Sequence, residues 1–141
     1  MILDTTYLLP LARIAIDTDL LAAIAKGKAD VKLEEVSVNL ISIFELQAKA
    51  SKLMIPSKFT VEAVKAILIT FKATPFHNPE IIELSYELKK LIPDYIDCVI
   101  VATAVALKED LATEDSLILA NREAITKKHG IKILRFKDIV K

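Results

Sequence analysis

Glycine, cysteine and tryptophan are scarce in this 141-residue chain: two, one and none. Glycine normally makes up about 7% of a chain, and here only Gly27 and Gly130 are present. A dinucleotide-binding fingerprint needs three clustered glycines. A phosphate-binding loop needs a glycine five residues ahead of a Gly-Lys pair, and Ala22 stands at that place before Gly27-Lys28. Neither cradle can be built. The single Cys98 excludes an internal disulfide framework and a cysteine-based zinc knuckle, and it suits a reducing interior. His77 and His129 lie too far apart for an HExxH helix, and no GxSxG turn occurs. There is also no surplus of charge. Nineteen basic and nineteen acidic side chains cancel, so the protein as a whole has no field that would draw in a polyanion.

Long apolar runs are missing as well. The longest uncharged stretch, Cys98 to Leu107, has ten residues, well short of the roughly 18 that suggest a membrane span. The first acid, Asp4, comes before any long apolar segment, unlike a secretory leader. A cytoplasmic chain with no membrane partner is expected, folded as one domain over residues 1–141. With 53% hydrophobic residues, it can bury a single core without staples.

Apolar periodicity suggests the elements. Met1 to Asp4 reads as a short buried strand that stops at an acid. Leu8 to Lys26 reads as one or two short helices, with Asp19 as a cap and Gly27 as the stop. Val36 to Val38 alternates as a strand does, and Asn39 is placed to cap a helix over Leu40 to Leu53. In that helix Ile41, Phe44 and Ala48 form the expected core stripe, with Glu45 on its border. Thr60 to Thr70 follows as a helix with Val61, Val64, Ile67 and Leu68 inward. Phe71 to Pro79 is broken by Pro75 and Pro79, and helix returns over Glu80 to Leu91. Asp94 to Lys108 reads as a helix buried nearly all round, its β-branched content keeping a strand in view, with Asp94 and Asp97 in the first turn if helical. A strand over Asp110 to Thr113, a last helix over Leu117 to His129 stopped by Gly130, and a final strand over Ile131 to Leu134 complete the pattern. Alternation of strands and helices predicts an α/β fold with a mainly parallel central sheet flanked by helices.

In such a sheet the strand ends that carry Asp4 and Asp115, and the helix start that carries Asp97, share one edge. Ligands bind along that edge. Glu45, in the second turn of its helix, reaches the same region. Four gathered carboxylates raise one another's pKa unless a cation neutralises them, and an all-oxygen set selects Mg²⁺ or Mn²⁺ over zinc or copper. Such ions activate water and stabilise charge in phosphodiester hydrolysis.

Four segments, Met1-Ile-Leu-Asp-Thr-Thr6, Ile43-Phe-Glu-Leu46, Asp97-Cys-Val-Ile-Val-Ala-Thr-Ala104 and Leu111-Ala-Thr-Glu-Asp115, resemble in order and spacing the signature segments of PIN-domain ribonucleases. The similarity is closest to the small VapC-like toxins of prokaryotic VapBC toxin–antitoxin pairs, and it covers nearly the whole chain. It implies a PIN-like three-layer domain in which Asp4, Glu45, Asp97 and Asp115 hold Mg²⁺ or Mn²⁺. Thr113 would hydrogen-bond within the acidic site, and Thr5 or Thr6 would match a hydroxyl residue after the first acid. The implied reaction is in-line attack of metal-activated water on an RNA phosphodiester, leaving a 3′-hydroxyl and a 5′-phosphate. A VapB-like antitoxin and a homodimer are the implied partners. Two departures stand out. Glu114 adds negative charge where relatives often carry a base, and Ser-Leu-Ile-Leu follows Asp115 where many carry an aromatic.

Each acid also has a plainer reading. Asp4 can terminate a strand, Asp94 or Asp97 can cap a helix, and Glu45 can pair with Lys49 one turn on. Asp94 either supports the metal shell or caps its helix. Cys98 reads as a buried structural thiol, His77 as a loop residue, and His129 as a helix C-terminal cation. Lys49 and Lys52 are candidate RNA phosphate contacts, whereas Arg122, Lys127 and Lys128 read as solvated surface. Leu8 to Ile24 is core, or else a dimer or antitoxin surface. The rival functions are a noncatalytic, Mg²⁺-binding receiver-like regulatory module and a degenerate PIN scaffold that binds protein.

Overall fold

Successive side chains of a strand point to opposite faces of its sheet, and the central strand β1 (Ile2–Leu3) shows this in two residues. Ile2 packs into one apolar cluster and Leu3 into the other. The computed structural model describes all residues 1–141. Its sheet is wholly parallel, with β1, β2 (Ser37–Asn39), β3 (Lys72–Thr74), β4 (Leu111–Ala112) and β5 (Ile133–Leu134) in the order β3-β2-β1-β4-β5. Register is set by Ile2 opposite Ser37 on one side and Leu111 on the other.

On the Leu3 face lie a 3-10 helix (Thr5–Ala12), α1 (Leu20–Ala25), α2 (Leu40–Lys52) and α3 (Ser57–Thr70). On the Ile2 face lie α4 (Pro79–Leu88), α5 (Tyr95–Leu107), α6 (Ser116–Ala120) and α7 (Arg122–His129). A short α8 (Phe136–Ile139) closes the chain. Three layers result, as the resemblance implies, around the parallel sheet that the alternation of elements predicts. No helix is long and apolar enough to cross a membrane.

Caps match the sequence. Asp19 accepts from the Ala22 N–H at 3.0 Å, Asn39 from Ile41 at 2.8 Å and Asp94 from Asp97 at 3.2 Å. Gly130 ends α7 at φ 78°, in the left-handed region that a side chain resists. Helix α5 buries every residue from Cys98 to Ala104, which settles the helix-or-strand ambiguity of its composition. The Cys98 thiol is buried and bonds to the Ile92 carbonyl.

Several expectations need correction. Of the stripe Ile41, Phe44 and Ala48, only Ile41 packs against the core, half-buried on the Ile2-side cluster; Phe44 is 63% exposed and Ala48 exposed, and Ile43, Leu46 and Ala50 form the buried face instead. Both sets have helical spacing, so periodicity alone cannot choose between them; packing against the 3-10 helix and α3 selects the second. In α3, Val61 and Leu68 are exposed, and Ala63 and Ile67 turn inward. Between Phe71 and Pro75 lies the edge strand β3, too short and too polar to show an alternation. The helix expected to reach Leu91 ends as α4 at Leu88. The single helix expected from Leu117 to His129 breaks at Asn121, whose side-chain amide donates to the carbonyls of Leu117 and Leu91. In Leu8 to Ile24, the side chains of Leu8, Leu9, Ala12, Leu20, Leu21 and Ile24 are core, while Pro10, Leu11 and Ala22 line an apolar hollow of about 360 Å³.

Candidate metal and phosphodiester site

Strand order 3-2-1-4-5 reverses direction at β1/β4, and in open α/β sheets the crevice beyond the carboxyl ends at such a reversal binds ligands. Asp4 follows β1 directly and Thr113 follows β4, with Asp115 two residues on. Helix α2 leaves the end of β2 and carries Glu45 in its second turn; α5 carries Asp97 in its first. A hydrogen bond from the Asn39 amide to the Thr103 hydroxyl, at 2.8 Å between fully buried side chains, ties the root of α2 to α5. The two helices that carry acids are therefore fastened together beneath the crevice.

The crevice is a cleft of about 400 Å³. Its lining includes all four expected acids, Asp4, Glu45, Asp97 and Asp115, together with Thr5, Thr6 and Glu114. Lys49 and Lys52, the expected phosphate contacts, lie along the same wall as Glu45 because residues four and seven further on repeat its side of the helix. Asp94 is exposed and is not part of the lining; its carboxylate caps α5.

Asp4 is the anchor. It is 6% exposed, and its two oxygens accept separately, one from the Thr5 N–H at 2.7 Å and the other from the Thr113 hydroxyl at 2.6 Å. The Thr113 hydroxyl in turn accepts from the Asp115 N–H at 3.0 Å. The Thr5 hydroxyl donates to Glu45. Asp115 caps α6, accepting from Leu117 and Ile118. The hydroxyl-bearing residues Thr5 and Thr113 thus link three of the four acids into one network.

Burial pushes the Asp4 carboxyl from its ordinary 3.8 up to about 6; bonds from Thr113 and Thr5 pull it back, and the charges of Glu45 and Asp115 add to the rise. Asp97 is pushed up to about 7, first by burial and then by the charges of Asp115, Asp4, Asp94 and Glu45. These are the marks of acids assembled without a counter-charge. As oriented, no three Asp, Glu, His or Cys side chains converge on one ion position: Asp4, Glu45 and Asp115 are held by the hydrogen bonds just described. The donor chemistry nonetheless fits a hard divalent cation, since every ligand candidate is oxygen and two acids resist ionising without one.

Glu114 was expected as surplus charge beside the site. Its carboxylate is also a structural acceptor, taking the buried Tyr7 hydroxyl and, at 2.7 Å, the Phe136 N–H. Burial, then the bond to Glu114, keeps the Tyr7 phenol protonated well above its ordinary range. Tyr7 carries no sequence signal for this role beyond being an aromatic in an apolar run.

No protein-family model and no curated protein sequence matches the chain. Solved structures do. A toxin–antitoxin complex from Klebsiella pneumoniae contains a chain 22% identical over 82% of this chain and 86% of that one, with a TM-score of 0.59. FitAcB from Neisseria gonorrhoeae matches at 16% identity, 98% and 99% coverage and a TM-score of 0.66. VapBC2 from Rickettsia felis, bound to a DNA fragment from their promoter, matches at 20% identity, 95% and 96% coverage and a TM-score of 0.61. The chain has a PIN-like fold. It shares that fold with chains of toxin–antitoxin complexes.

Proposed function

We propose that this protein is a divalent-metal-dependent endoribonuclease, the toxin of a toxin–antitoxin pair, acting in the cytoplasm as a homodimer and restrained by a VapB-like antitoxin. The observation that carries the catalytic part is the gathering of Asp4, Glu45, Asp97 and Asp115 in one cleft, with two of them pushed toward neutrality. Fold likeness to chains of toxin–antitoxin complexes supports the biological part.

Asp97, Asp115, Asp4 and Glu45 would hold Mg²⁺ or Mn²⁺, which when bound supplies positive charge for the phosphate and lowers the pKa of water. Thr113 and Thr5 hold the Asp4 carboxylate in one orientation, with a hydrogen bond to each of its oxygens. Lys49 and Lys52 supply the local positive charge that a neutral protein needs to seat an RNA backbone. Their placement along one side of α2 orients the strand across the acids.

The test is cleavage of a panel of structured RNAs by the purified protein with Mg²⁺ or Mn²⁺, beside Asp4→Asn and Asp97→Asn. Each variant is expected to lose at least about 100-fold in rate, the upper end of what residues supporting a metal ligand are worth, and chelator is expected to abolish cleavage. Metal binding with no cleavage of any RNA would favour the regulatory or scaffold readings instead.

A further inference from the structure

Glu114 sits in sequence between Thr113 and Asp115, yet its bonds run away from both. One oxygen, Oε2, accepts from the Tyr7 hydroxyl and from the Phe136 N–H. Tyr7 belongs to the 3-10 helix that begins directly after Asp4, and Phe136 opens α8 beyond β5. A single carboxylate oxygen therefore joins the segments that follow β1, β4 and β5, the three adjacent strands beneath the acids. Tyr7 is fully buried, and a buried phenol needs an acceptor. Ionised acceptors make the stronger hydrogen bonds. Directly beside this junction the Thr113 hydroxyl bridges Asp4 and the Asp115 N–H.

We propose that Glu114 is a positioning residue: through the Tyr7–Glu114–Phe136 junction it holds the turn that carries Thr113 and Asp115 against Asp4, and it serves the ion site through that turn and not as a ligand. The proposal rests on reading the cleft as a metal site. It gives a structural use to an acid at a position where relatives often carry a base: the carboxylate is the acceptor for two internal donors.

The test compares wild type with Tyr7→Phe, Glu114→Ala, Glu114→Gln and the Tyr7→Phe/Glu114→Ala double variant, each checked for a cooperative thermal transition. Mn²⁺ affinity is measured by calorimetry. Tyr7→Phe and Glu114→Ala should each weaken it about 10- to 100-fold. The double variant should be no weaker than the worse single one, since both remove the same junction, and Glu114→Gln, which keeps an acceptor, should recover part of the loss. If Glu114→Ala weakens binding while Tyr7→Phe does not, Glu114 is a ligand and the proposal falls. A second readout is independent of metal. The chain has three tyrosines and no tryptophan, and a carboxylate that accepts from a phenol quenches its emission. Glu114→Ala should raise tyrosine emission, and the rise should vanish when Tyr7 is Phe. If wild type binds no Mn²⁺, the metal reading of the cleft fails. Emission then decides the junction by itself: a Tyr7-dependent rise supports it and no rise overturns it.

Discussion

Asp4 and Asp97 each hold a proton more tightly in the folded chain than in the unfolded one, which ties stability to pH. Their carboxyls ionise at about 6 and about 7, against an ordinary 3.8. A folded-state pKa above the unfolded value means that the native state binds more protons across that window, so stability falls as pH rises. Without divalent ions, the urea midpoint is expected to decline from pH 4 to pH 7 and then level off. Asp4→Asn should roughly halve the slope between about pH 4 and pH 6 and leave the decline belonging to Asp97, which runs on to about pH 7. Saturating Mg²⁺ should flatten the whole profile; an identical decline with and without Mg²⁺ would contradict the metal reading. Thr113→Val removes the hydroxyl that donates to Asp4 at 2.6 Å and strands a buried carboxylate oxygen. The expected cost is about 1–3 kcal/mol. It should be larger at pH 8 than at pH 5, where Asp4 carries its own proton, as urea unfolding at the two pH values will show.

At the scale of elements, the acids are positioned by how helices leave strands. Asn39 ends β2, caps α2 through its carbonyl oxygen, and through its amide reaches Thr103 in the middle of α5. Asn39→Ala removes both bonds at a fully buried position and should cost about 2 kcal/mol, read as a lowered urea midpoint with an unchanged m-value. An unaltered midpoint would mean that the two helices are fixed by packing alone. The cap was legible in the sequence because Asn before an apolar periodic run is a local signal. The bond to Thr103 was not legible, since sixty-four positions separate the partners. The same limit explains α2 itself. Its two apolar stripes, Ile41/Phe44/Ala48 and Ile43/Leu46/Ala50, have equivalent spacing, and only the neighbours present in space choose which one is buried.

The stripe left outside has a consequence for the whole molecule. Ile41 on α2 lines an apolar hollow of about 350 Å³ with Phe76, Ile82, Tyr86, Tyr95 and Ile96, and Phe44 stands one turn further along the same helix. Phe44 is 63% and Tyr86 69% exposed. His77 is the one basic side chain in its lining, and no lysine, arginine, aspartate or glutamate joins it, so the hollow is mainly apolar. A chain of zero net charge meets no long-range repulsion from its own copy. The proposed homodimer is therefore expected to use this face. By light scattering, wild type should have twice the chain mass, and Phe44→Ser with Tyr86→Ser should have the mass of one chain. A wild-type monomer would remove the homodimer from the proposal.

Local chemistry and order along the chain were enough for the fold class and for the chemical character of the site. The parallel α/β fold follows from alternating apolar strands and capped helices, and the oxygen-only character of the site follows from a chain with almost no cysteine or histidine. The positions of Asp4, Glu45, Asp97 and Asp115 at strand ends and helix starts were readable for the same reason. Tertiary structure alone decided that β1 lies between β2 and β4, which is what brings those four acids to one cleft. It also decided the inward face of α2, the break at Asn121, and the use of Glu114 as an acceptor for Tyr7 and Phe136. Each of these depends on contacts between residues far apart in the chain. A hydrogen bond or a buried stripe selects its partner by proximity in three dimensions, and residue type and spacing carry no record of that partner.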